Sequence, residues 1–138
     1  MTTFLLVPLY VQSYLTCFPT SVSMVLDYYD TGITYAQVEQ AATSASNMMY
    51  VADPSFIAGL AGGEVTAQGV WTDDAQSLIN AELASGDPVI VIDGSHALVV
   101  VGFSGDKTLL IDPLSGRYIW YYPQWVGSVE YVILFEQE

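Results

Sequence analysis

From residue 88 onward the chain is built of five short runs, "PVIVID", "HALVVVGFS", "TLLID", "RYIWYY" and "EYVILFE", separated only by "DGS", "SGDK", "PLSG" and "PQWVG". Runs of this length, rich in β-branched and aromatic residues and bounded by Gly, Asp, Ser and Pro, are strand signals. Connections so short join antiparallel neighbours, since a parallel crossover needs a dozen residues or more. "FSGDKTLLI" in particular predicts a hairpin with Gly105-Asp106 at its turn. The expectation is an antiparallel meander filling the second half of the chain.

The first half has the other period. Val22, Val25, Leu26 and Tyr29 recur at helical spacing, and Pro19 suits a first helical turn, where its missing N–H costs nothing. "TYAQ" has capping-box form, with Thr34 as N-cap and Gln37 three residues on. A short third helix is expected after Asp53-Pro54. A fourth is expected from about Thr72-Asp73-Asp74, whose acids suit a helix N-terminus, to Gly86. "AGLAGGE" (58–64) is expected to be a flexible connection, because no Lys-Ser/Thr follows its glycines as a phosphate loop requires. Helices first and antiparallel strands afterwards predict an α+β fold. No repeat, low-complexity tract or linker divides residues 1–138, so a single domain is expected.

Charge narrows the partners. Two basic residues stand against fifteen acidic ones, a net charge of −13. Such a surface repels phosphate, which excludes nucleic acid and disfavours anionic membrane. It would attract a cationic peptide and keep the protein soluble. The acids are scattered rather than blocked, as on a solvated surface. No apolar run is long enough to span a membrane. The N-terminus "MTTFLLVPLY" lacks a basic region and is interrupted by Pro8, so no signal peptide is evident and a cytoplasmic location is expected, although a mature fragment of an exported protein would look the same.

A single cysteine, Cys17, excludes an intramolecular disulfide and any multi-cysteine metal site. With His96 the only histidine and no HExxH spacing, neither metal nor cofactor is expected. Cysteine chemistry needs a thiolate, a base and a group that orients the base, so any Cys–His site must pair Cys17 with His96. Cys17 stands at a predicted helix start, where free N–H groups and the helix dipole favour an anion. His96 opens a predicted strand, and Asp112 closes the next one in "LLIDP". If those strands pair about residues 104–107, His96 and Asp112 fall at the same end, and the carboxylate can hold the imidazole. Gln12, five residues before Cys17, could offer an oxyanion donor beside the cysteine's own N–H.

Each residue has a plainer alternative. A lone cysteine is more often a small buried residue, a lone histidine structural, and an Asp-Pro pair a turn. The ordered set is what favours chemistry. Asp93 is expected in a turn, Asp73 and Asp74 at a helix terminus, and Lys107 and Arg117 near turns. Trp71, Trp120, Trp125 and the tyrosines could line a peptide groove, although aromatic strands more often pack a core.

The stretches "VPLYVQSYLTCFPTSVSMVLDYY", "GDPVIVIDGSHALVVVGFSGDKTLLIDPLSGRYIWYY" and, more loosely, "YPQWVGSVEYVILFE" together resemble the papain-like C39 cysteine peptidases. That family cleaves double-glycine leader peptides from bacteriocin and quorum-signal precursors, and it has free-standing C39-like relatives. The resemblance implies a papain-like fold, with N-terminal helices packed on a C-terminal antiparallel sheet. It implies Cys17 as nucleophile, His96 as base and acid, Asp112 as its orienting group and Gln12 as oxyanion donor. It further implies a peptide or protein substrate, cleavage after small residues, and association with a transporter. Acyl transfer to a nucleophile other than water stays open. So does a degenerate C39-like domain that binds a peptide or protein partner without cutting it. The family usually has glycine after the cysteine, where this chain has Phe18, and a bulky side chain there could narrow the cleft.

Overall fold

The computed structural model describes residues 2–9, 17–44, 57, 59–93, 96–104, 107–121 and 129–137. The elements in chain order are β1 (Thr2–Phe4), α1 (Cys17–Tyr28), α2 (Tyr35–Ser44), β2 (Val65–Trp71), α3 (Ala75–Ala84), β3 (Val89–Asp93), β4 (His96–Ser104), β5 (Lys107–Asp112), β6 (Arg117–Tyr121) and β7 (Tyr131–Gln137). The fold is α+β and papain-like, with helices packed on an antiparallel sheet.

Local sequence sets the helix boundaries. At α2 the backbone N–H of Thr34 donates to Gln37 Oε1 at 2.8 Å, and the Gln37 N–H donates to Thr34 Oγ1 at 3.2 Å, completing the expected capping box. Asp74 caps α3 by accepting from the Ser77 N–H. That helix stops at Gly86, whose φ of 88° lets the Asp87 N–H turn back to the Glu82 carbonyl. Asp30 does the same work after α1 at φ 58°, one of the few positions where a non-glycine accepts the left-handed region. The helix expected after Asp53-Pro54 falls largely outside the described residues.

The sheet departs from a pure meander. Strands β3 to β6 follow one another as expected, but β7 returns to pair with β3 and β2, giving the order β2-β7-β3-β4-β5-β6. β1 pairs with the far end of β4, Thr2 opposite Ser104 and Phe4 opposite Gly102. A bulge falls between Val100 and Gly102 in the β4–β5 ladder. Two strands, β1 and β2, therefore arise in the half that local pattern assigns to helices. Both are completed by partners far away in sequence, which no local window contains.

Period-two alternation sorts the strand residues onto two cores. Val65, Ile90, Ala97, Val99, Val101, Leu109, Ile111, Ile133 and Phe135 face α1 and α2, packing with Cys17, Phe18, Val22, Val25 and Val38. Val89, Val91, Leu98, Val100, Leu110 and Val132 face α3, against Ala75, Ile79 and Leu83. The near-continuous apolar strands follow from this, because both faces of the sheet are covered. No helix among the described residues is long and apolar enough to cross a membrane.

Candidate active site

Helix α1 begins at Cys17 and is buried through its first ten residues. Thr20, Ser21 and Ser23 are buried with it, and each buried hydroxyl has a partner. Ser23 donates back to the Pro19 carbonyl at 2.9 Å, and Ser21 donates across to the Ala97 carbonyl at 3.3 Å. The second bond ties α1, one turn beyond Cys17, to the start of β4, one residue from His96. Phe18 turns its ring into the core, where it is 1% exposed. It therefore offers little surface to an open cleft.

The antiparallel β4–β5 ladder brings His96 and Asp112 to the same end of the sheet, although 16 residues separate them in sequence. His96 Nε2 and Asp112 Oδ1 are 2.9 Å apart, with the side chains 35% and 18% exposed. The same carboxylate oxygen accepts the Leu114 N–H at 2.9 Å, while the Ser115 and Gly116 N–H groups return to the Asp112 carbonyl. The "DPLSG" turn thus fixes the carboxylate before it meets the imidazole.

Cys17 is 3% exposed and hydrogen-bonded to the His96 ring. With Nε2 committed to Asp112, Nδ1 is the nitrogen left for the thiol. Burial pushes the thiol up, but the His96 hydrogen bond, backbone hydrogen bonds from Ala97 and Phe18, and the imidazolium charge together outweigh it and leave the thiol below its ordinary value. His96 is raised to about 9, first by its bond to Cys17 and then, against burial, by its bond to Asp112 and the charges of both partners. The two shifts favour a thiolate–imidazolium pair, whose titration belongs to the pair rather than to either residue.

Gln12 lies outside the described residues. Asp93 closes β3 opposite His96, Asp74 is the α3 N-cap, and Lys107 and Arg117 open β5 and β6. What local pattern could not reveal is the row of side chains beside the site. Trp71 pairs with Tyr131, Tyr131 with Ile92, and Ile92 with Ala97, so one rung runs from the β2 edge to the residue after His96.

Comparison with protein families matches residues 4–133 to the model described as "Peptidase_C39 like family". Comparison with curated protein sequences finds no match. Solved structures share the fold, three of them as follows. A double glycine motif protease from an AMS/PCAT transporter, crystallised with its leader peptide, has a TM-score of 0.77 at 19% identity, covering 99% of this chain and 95% of that one. A C39-like peptidase from Bacillus anthracis has 0.72 at 14% identity, covering 100% and 98%. The peptidase domain of Streptococcus ComA, a bifunctional ABC transporter of quorum sensing, has 0.71 at 17% identity, covering 95% and 98%.

Proposed function

The chain belongs to the Peptidase_C39 like family, and from that membership we propose that it is a cysteine peptidase acting through Cys17, His96 and Asp112. The observation that carries the reading is the doubly engaged imidazole: His96 bonds the thiol on one side and Asp112, at 2.9 Å, on the other.

The chemistry follows from that arrangement. Cys17 Sγ, as thiolate, attacks the carbonyl carbon of a peptide bond. The oxyanion forms at the N-terminus of α1, where the Cys17 N–H is a donor; the family resemblance assigns the Gln12 amide as a second. Collapse of the tetrahedral intermediate breaks the C–N bond, and His96 gives its proton to the departing amine. A thioester remains on Cys17. His96, now neutral, takes a proton from water as the water oxygen attacks the thioester, and the acid product leaves with the thiolate–imidazolium pair restored. Asp112 stabilises the imidazolium and fixes its tautomer without taking its proton.

The substrate class comes from the relatives: a leader peptide cut after small residues, with a transporter as the associated partner. The test is to incubate the protein with peptides containing paired glycines and read cleavage and intact mass. Cleavage lost in Cys17→Ala, with an acyl adduct on the wild-type chain, is the expected result. Cleavage that survives Cys17→Ala, or no cleavage of any such peptide, would contradict it.

A further inference from the structure

One rung of the sheet links the site to an exposed aromatic at the sheet edge. Trp71 is 75% exposed, a high value for an indole on a strand. Directly paired residues share a face, so the Trp71–Tyr131–Ile92–Ala97 row lies on the face that carries α1 and Cys17. Three strand spacings separate Trp71 from Ala97, roughly 14 Å.

The shelf is built rather than incidental. Tyr131 packs on Trp71 with ring centroids 4.7 Å apart and planes at 44°. Its phenol lies over Gly69 so closely that a β-carbon there would overlap it. Gly69 therefore makes room for the ring that supports the indole. Around Trp71 the chain forms a shallow pocket of about 560 Å³, lined by Trp71, Thr72, Asp73, Val129 and Glu130. Thr72 and Glu130 are joined by a backbone bond of 2.8 Å, which holds the two acid-bearing segments together. Among the described residues neither Asp73 nor Glu130 has an ion-pair partner. The chain's two cations, Lys107 and Arg117, stand on β5 and β6, beyond β4 from this edge.

We propose that Trp71, Asp73 and Glu130 form a substrate subsite for a lysine or arginine side chain of an extended peptide bound at Cys17. An aromatic face flanked by two carboxylates is complementary to a cationic side chain with an apolar stem. A span of roughly 14 Å corresponds to about three to five extended residues from the bond that is cut. The subsite gives the strong negative charge a local role, in the order and register of the substrate rather than in general attraction.

This inference rests on the peptidase reading, so its test has two arms. In the first, an arginine is walked through glycine-paired peptides on both sides of the cleavage point. The wild type is expected to prefer arginine over glutamine at one position three to five residues away, by about fivefold to tenfold in kcat/KM. D73N/E130Q is expected to erase that preference, and W71A to reduce it. A flat profile, or a preference unchanged by the variants, overturns the subsite. The second arm needs no cleavage: the Trp71 indole N–H signal, assigned with W71F, is followed in Cys17→Ser protein as an arginine peptide or its glutamine counterpart is added. A shift with arginine alone, lost in D73N/E130Q, supports the subsite even if no peptide is cut. Equal or absent shifts overturn it, whatever the fate of the peptidase reading.

Discussion

Asp112→Asn separates the charge of the carboxylate from its place in the turn. The asparagine amide oxygen can still accept the Leu114 N–H that Asp112 Oδ1 accepts at 2.9 Å, so "DPLSG" should keep its shape. What is lost is the negative charge beside His96 Nε2. The imidazole is raised from its ordinary 6.5 to about 9, with the thiol bond contributing most and Asp112 next. At about 1.4 kcal/mol per pKa unit the whole elevation is on the order of 3 kcal/mol. The ring is 35% exposed, and solvent screening reduces that figure. Asp112 should then account for roughly 1 to 1.5 kcal/mol, or about one unit. His96 is the only histidine, so its ring nitrogens give one unambiguous NMR titration. In Asp112→Asn that titration should move down by about one unit. Asp112→Ala should add a loss of about 1 kcal/mol in stability, because the Leu114 N–H loses its acceptor as well. A His96 titration identical in wild type and Asp112→Asn would refute the reasoning.

Two further predictions concern the frame around the site. Burial, then the charges of Asp87 and Glu136, raise Glu82, so the folded state holds that proton to higher pH than the unfolded chain does. Stability should therefore fall as pH rises above about 4.5. Glu82→Gln should be the more stable protein at pH 7, by less than about 1 kcal/mol, with the difference closing below pH 4 in thermal melts; a variant less stable than wild type at neutral pH would contradict this. Gly69→Ala should cost about 1 to 3 kcal/mol in denaturant unfolding, because Tyr131 must leave its place over β2. An unchanged midpoint would mean that the ring has room to spare.

Much of this molecule is written in local sequence. Thr34 with Gln37, Asp74 and Gly86 mark helix ends through bonds spanning only a few residues, and their positions in the structure match. His96 and Asp112 meet because a hairpin brings its two ends together, and because the bulge between Val100 and Gly102 shifts the ladder by one residue and so puts both side chains in phase. Being the only Cys and the only His made Cys17 and His96 conspicuous. The edge strand β2 was hidden for a physical reason. "VTAQGVW" carries Ala67 and Gly69 on its core face, so its alternation is weak, and only pairing with β7, some sixty residues later, makes it a strand. The rung joining Trp71 to Ala97 depends on two such long-range registers, β2 with β7 and β7 with β3. Asp73, legible as a helix-terminus acid, lines the pocket beside Trp71 through the same tertiary arrangement. Gln12, expected as an oxyanion donor, is a question for mutation.

The central claim is that Cys17 and His96 form an ion pair, and the pH dependence of thiol alkylation tests it most directly. Cys17 is the only thiol, so iodoacetamide uptake reports one site. In wild type the rate should rise with an inflection below 9, because His96 lowers the thiol despite its burial. In His96→Ala burial remains and its largest opponent is gone, so the inflection should move up, with the rate at pH 7 falling at least tenfold. Superimposable curves for the two proteins, both inflecting at the ordinary thiol value, would contradict the account.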